Sequence, residues 1–150
     1  MKPVTQDERT AERRVDTIAE ATRLWVEHGW ADAAPGMAAV TSLMRAQQLV
    51  LSRVESVLKP LTITFARYEV LMLLVFSQRG SLPMGTIGSR LQVHPTSVTN
   101  AVDRLESAGL VERLPHPRDR RAILVAITDD GRAVADKATA TLNTGVFSRL

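Results

Sequence analysis

The chain has 150 residues, 45% of them hydrophobic, a formal net charge of +3 and no cysteine. That length suffices for one domain with a real hydrophobic core, and the lack of Cys excludes disulfides, thiolate catalysis and cysteine redox sensing. No apolar run approaches the roughly 18–20 residues of a membrane span, and the charged N-terminus lacks the apolar segment of a signal peptide, so a cytoplasmic protein with no membrane partner is expected.

Residues 1–7 show no periodicity and should fray. Residues 8 to about 28 suit a helix, with Val15, Ile18, Thr22 and Trp25 recurring at helical spacing and Arg13, Arg14, Glu20, Arg23 and Glu27 elsewhere. The segment from Gly29 to Gly36, which includes Pro35, reads as a break. A longer helix is expected from Met37 to Leu58, with Pro60 marking its end. Val40, Leu43, Met44, Gln47, Leu51, Val54 and Leu58 line one face of it, with Val50 and Val57 beside them. That face packs either into the chain's own core or on a second subunit, and the second is the favoured reading. Trp25 and Trp30 are candidates for the subunit contact, because large aromatics dominate interface energetics.

Leu61 to Thr64 is a link that ends in a plausible N-cap, Thr64. From Phe65 to Phe76 the chain is apolar nearly all round, which predicts a helix at the centre of the core. Gln78 to Ser81 reads as a turn, and a short helix with Met84, Ile87 and Leu91 on one face follows.

The next helix is expected over Pro95 to Ser107, with its start uncertain between Pro95 and a cap at Thr96. Val98, Ala101, Val102 and Leu105 form its buried stripe, while Thr96, Ser97, Asn100, Asp103 and Arg104 point the other way and Thr99 lies on the flank. Gly109 fits the left-handed position after a helix. Leu110 to Leu114 is strand-like, Pro115 to Arg120 is a proline-stiffened loop, and Arg121 to Ile127 alternates with Ile123, Val125 and Ile127 on one side. Thr128 with Asp129 and Asp130 opens a last helix, with Val134, Ala138 and Leu142 on one face, running to about Asn143. Gly145 interrupts it, and Val146 and Phe147 are left in search of a partner.

Helix, helix, helix and two-stranded ribbon is the order of a winged helix-turn-helix, in which the second helix of the pair enters the major groove. Residues 1–60 hold eight basic and eight acidic side chains and residues 61–150 hold eleven and eight, so the positive excess lies in the second part. Pro95, Thr96, Ser97, Thr99, Asn100 and Arg104 are the candidate reading residues. Hydroxyls bond phosphates or bases, and an Asn amide can pair two-pronged with adenine. Small polar groups on a helix can also be mere solvated surface. His116, Arg118, Asp119, Arg120 and Arg121 form the candidate wing, where an arginine can enter the negative minor groove and Asp119 can hold a guanidinium by a two-pronged ion pair. A surface hairpin whose charges prevent edge aggregation is the plain alternative.

These residues resemble the MarR family of bacterial transcriptional regulators. The resemblance rests on Leu61-Thr62, Phe65, Val70-Leu71, Leu91, Val93, Thr96, Val98-Thr99, Val102-Asp103, Leu105-Glu106, Gly109-Leu110-Val111, Arg113, Arg118-Asp119-Arg120-Arg121, Ile127-Thr128 and Gly131. It covers about residues 37–142, and its most specific part is the wing pair Asp119 and Arg121. It implies a homodimer on a pseudo-palindromic operator in double-stranded DNA, wing arginines in the minor groove, and release by a small phenolic or anionic effector. Such a regulator is expected to be a repressor.

Three features depart from the family pattern. Gly88 stands where Ala is usual, which would loosen the supporting helix. Segment 8–35 is a longer lead-in than usual. The chain also reaches Leu150 before the further C-terminal helix that usually clasps the partner, so either it is cut short or the N-terminal extension takes over part of that contact.

The fold class expected is mainly α with a small β-wing, with long N- and C-terminal dimerisation helices. The expected division is 1–60 helical extension and dimerisation, 61–128 DNA-binding lobe and 129–150 C-terminal helix. Trp30, Arg45, Arg53 and Tyr68, with His28, are candidates for an effector crevice, though each has a plain structural reading. His28, His94 and His116 are far apart and none has metal-ligand spacing, so no catalytic site, metal or cofactor is expected. His94 reads as a cap neighbour or phosphate contact. The alternative function is a winged-helix protein-interaction module without DNA binding.

Overall fold

The computed structural model describes residues 16–149; the segment 1–7 and the first half of the expected opening helix, with Arg13, Arg14 and Val15, lie outside them. Helix α1, Thr17–Glu27, begins where the Asp16 carboxylate accepts from the amides of Ile18 and Ala19, both at 3.0 Å. Gly29, at φ +85°, ends it, and a short 3-10 turn, Ala31–Ala33, leads into α2, Ala34–Leu58. This helix starts three residues before the expected Met37. Pro35, which reads as a breaker, falls in the first turn, where its missing N–H has no partner to lose.

Residues up to Val50 and from Leu51 onward form two compact units, with the division inside α2. In the first, Trp30 meets Trp25 edge-on, ring centroids 5.1 Å apart, and stacks on His28 at 5.6 Å. Arg23 bridges Glu20 and Glu27, and Arg45 donates to the Thr17 hydroxyl. The apolar face of α2 divides. Val54 and Leu58 are buried, whereas Val40, Leu43 and Met44 stay 63%, 70% and 53% exposed.

In the second unit α3 spans Phe65–Val75. Thr64 is its cap as expected, accepting from the Arg67 amide at 3.3 Å, and the Glu55 carboxylate accepts from the Phe65 amide at 3.1 Å. Tyr68, Val70, Leu71 and Leu74 are buried. Phe76 is not part of that core: it caps the helix and is 77% exposed. Then come β1 Ser81–Pro83, α4 Met84–Leu91, α5 Pro95–Ser107, β2 Val111–Pro115, β3 Ile123–Ile127 and α6 Asp129–Gly145.

The expected two-stranded ribbon is a three-stranded antiparallel sheet of order β1-β3-β2, with Leu82 opposite Val125 and Arg113 opposite Val125 from the other side. β3 is therefore the central strand. Its alternation is imperfect: Val125 is fully buried, but Ile123 is 47% exposed because it lies toward the wing tip. Leu58, Leu71, Leu74, Ile87, Val102, Leu105, Val125 and Leu142 belong to one core cluster. Burial of each such side chain contributes about 1.5–3 kcal/mol.

Helix α6 runs two residues past Asn143, and its buried face holds Gly131, Ala135, Ala138 and Leu142, with Val134 only partly covered. Val146 finds its partner within this chain, being 3% exposed, while Phe147 remains 47% exposed. The start of α6 is fixed to the turn after α5. The Thr128 amide donates to Leu110 O at 3.1 Å, and its hydroxyl donates to Gly109 O at 2.7 Å. That hydroxyl also accepts from the Gly131 amide at 3.0 Å. Gly109 has φ +72°, the left-handed turn the sequence predicts. At Gly131 a Cβ would stand 2.0 Å from Leu110 O, so only glycine permits this approach.

Candidate nucleic-acid interface

Helix α5 has the expected bounds, Pro95–Ser107, and its cap is His94 rather than Thr96. The Thr96 amide donates to His94 Nδ1 at 3.2 Å. Val98, Val102 and Leu105 are buried against the core, while Ala101 is half-buried. Pro95, Thr96, Ser97, Thr99, Asn100 and Arg104 are all exposed. The Thr99 hydroxyl donates to Pro95 O at 3.1 Å, so its oxygen is left to accept. Among the described residues the Ser97 and Asn100 side chains form no hydrogen bond, which leaves both free for a partner.

Asp103, on the same polar face, is not a free group. Arg113 of β2 donates to both Asp103 and Glu106, tying the ribbon to α5, and its own amide donates to Glu106 Oε1 at 3.0 Å. Burial pulls the Arg113 guanidinium down, but its bonds to Asp103 and Glu106 outweigh that and hold it above the ordinary arginine value. Arg113 is thus not a free cation of the wing. Its partners are seven and ten residues away, and only the placement of β2 beside α5 brings them together.

The wing tip is ordered by its backbone. The Arg121 amide donates to Asp119 Oδ1 at 2.9 Å, the Ala122 amide to Asp119 O at 3.1 Å and the Arg118 amide to His116 Nδ1 at 3.2 Å. The expected ion pair on Asp119 does not form, because the carboxylate is occupied by the turn's own amide, and a short Asp side chain two residues back reaches an amide more readily than a guanidinium. Among the described residues Arg104, Arg118, Arg120 and Arg121 make no ion pair.

His94 and His116 share one arrangement. With Nδ1 accepting an amide, the neutral ring carries its proton on Nε2. Each imidazole can present that N–H as a donor, one at the head of α5 and one at the wing. At Gly88 a Cβ would meet Val98 Cγ2 at 3.3 Å, so α4 lies close on α5 at this point.

Of the four expected effector residues, Trp30 and Arg45 are in the first unit and Arg53 and Tyr68 in the second. Arg53 Nε donates to Gly145 O at 3.3 Å. Tyr68 is 7% exposed, with its hydroxyl 3.0 Å from Thr139 Oγ1 and its ring stacked on Phe65 at 5.9 Å. His28 is held by Leu24 O at 2.8 Å. Among the described residues no helix is long and apolar enough to cross a membrane.

The MarR family model matches residues 63–123, from just before α3 to the start of β3. Sco5413, a MarR family transcriptional regulator from Streptomyces coelicolor, is 56% identical, with TM-score 0.68 over 73% of this chain and 76% of that one. The structure of the transcriptional repressor CouR bound to a 23-mer DNA duplex is 30% identical, with TM-score 0.67 over 72% and 75% of the two chains. The uncharacterised HTH-type transcriptional regulator YhbI of Bacillus subtilis is 32% identical over 99 residues, 64% of this chain and 63% of that protein. The chain thus spans somewhat under two thirds of that curated relative's length. Agreement in sequence and in fold over these spans places the protein: it belongs to the MarR family of transcriptional regulators.

Proposed function

We propose that this protein is a sequence-specific regulator that binds double-stranded DNA as a homodimer on a pseudo-palindromic operator. The observation that carries the reading is the pairing of an exposed polar face on α5 with wing arginines that make no ion pair among the described residues. Ser97 and Asn100 at the N-terminal half of α5 are free to read base edges, each good contact giving about 1–3 kcal/mol of discrimination. Arg118, Arg120 and Arg121 supply the minor-groove charge. Homodimerisation is supported by the exposed Val40, Leu43 and Met44 on α2, a stripe that a second copy would cover.

A dimer seated on a promoter excludes polymerase, so repression is the simplest consequence. CouR, named as a repressor and bound to duplex DNA, supports the same reading. Release by a small phenolic or anionic effector completes the proposal. Such an effector must bind the DNA-incompetent arrangement more tightly.

Selection from a random duplex pool, with and without phenolic acids, tests this. A two-half-site motif about one helical turn apart, roughly 34–36 Å, is expected. Asn100→Ala should relax base preference, and Arg120→Ala should weaken binding to all duplexes. An unselected pool and salt-independent binding would overturn the DNA assignment in favour of a protein-interaction module.

A further inference from the structure

We propose that Arg67 and Lys59 extend the DNA-binding surface beyond α5, contacting backbone phosphates that flank the bases read by Ser97 and Asn100. The inference rests on the DNA reading above. Helices α3 and α5 meet so that Thr64, Ala66 and Arg67 share a shallow groove of about 250 Å³ with Ser97, Asn100 and Arg104. On its other side Arg67, again with Thr64, lines a second concavity of about 430 Å³ together with Lys59, Thr62 and Glu55. The surface is therefore continuous from the reading face, through Arg67, to Lys59.

Its charge is mainly positive, Lys59, Arg67 and Arg104 against Glu55. Among the described residues, neither Lys59, Arg67 nor Arg104 makes an ion pair. Of the acids nearby, Asp103 and Glu106 are neutralised by Arg113, while Glu55 accepts the Phe65 amide and keeps its charge. Three cations that converge beside a base-reading helix, against the one lining carboxylate of Glu55, suit phosphates that position the protein on the duplex but carry no sequence. Thr62, at φ +59°, turns the chain between Lys59 and Thr64. A β-branched residue in that region is an outlier, and it lies in the lining of this surface.

The test is fluorescence anisotropy on a selected duplex, titrated with salt, for wild type, Arg67→Gln, Lys59→Gln and Arg120→Gln, each checked for an unchanged melting curve. Each lost phosphate contact should lower the slope of log K against log salt by about 0.9, and a substitution removes one from each protomer of the proposed dimer, so the slope would fall by about 1.8 and affinity would fall about 12-fold less between 50 and 200 mM salt. The selected sequence should stay the same in Arg67→Gln and Lys59→Gln. A changed slope in Arg120→Gln with wild-type slopes in the other two would overturn the inference and leave the DNA reading standing. Wild-type slopes in all three would overturn both. A change in Arg67→Gln alone would end the surface at Arg67 and refute the role of Lys59.

Discussion

Gly131→Ala asks whether the close approach of α6 to the α5–β2 turn is as tight as described. A methyl carbon at this position would lie 2.0 Å from Leu110 O and 2.8 Å from Ile127 Cγ1. The first neighbour is backbone and cannot rotate away, so the start of α6 must move by about 1 Å to reach even a strained contact. That shift breaks or stretches the Thr128 amide bond to Leu110 O and the Thr128 hydroxyl bond to Gly109 O. Each is worth about 1 kcal/mol, and overpacking adds about 1–3 kcal/mol. The gain from replacing a helical glycine is at most about 1 kcal/mol. A net loss of about 2–4 kcal/mol follows, or a fall in Tm of about 5–15 °C. Thermal and urea unfolding should be measured at one fixed protein concentration, because the stability of the proposed dimer would depend on it. Gly36→Ala is the control: nothing lies within 4 Å of its Cβ, and it should be neutral or stabilising by up to about 1 kcal/mol. A Gly131→Ala protein that melts within about 1 °C of wild type would refute the contact.

Two further predictions concern charge. Arg113→Met should cost about 1 kcal/mol, modest because its partners are partly exposed, and should weaken DNA binding more than stability, since Asp103 would then face the phosphates unneutralised; wild-type affinity in a binding titration would refute the bridge. Burial raises the Glu69 carboxyl above its ordinary 4.5. The folded state therefore binds this proton more tightly than the unfolded chain, so ionisation of Glu69 opposes folding as pH rises through the raised value. Glu69→Gln should melt higher than wild type at pH 7, with the difference vanishing below about pH 4, and an equal gain at both pH values would rule out a titration effect.

The readable parts of the sequence were those fixed by local chemistry. The bounds of α5, its stripe of Val98, Val102 and Leu105, the turn at Gly109 and the cap at Thr128 all follow from spacing or from one residue's backbone preference. What escaped was decided by distant partners. β1 is three residues long and ends in proline, too short for any alternation, and exists because β3 lies beside it 40 residues later. Arg113 lies only a few residues before the wing arginines, and only tertiary placement shows its charge consumed by Asp103 and Glu106. Arg67 sits in the first turn of an ordinary helix, and nothing in its neighbours along the chain points to Ser97 or Asn100. The buried position on α6 is Ala135 rather than the expected Val134, on the same face as the close approach at Gly131.

The wing combines a pinned main chain with untethered side chains. Asp119 and His116 fasten the turn, yet the guanidinium groups they carry forward make no ion pair among the described residues. Ordering each of these long side chains on a duplex costs about 0.5–1.5 kcal/mol of rotamer freedom. Only a groove narrow enough to concentrate the negative potential returns that cost, as runs of A·T pairs do. On the proposed DNA-bound state, the wing would therefore act as a calliper for groove width, contributing selectivity at the operator's flanks through the stiffness of the DNA itself, while the exact bases are left to α5.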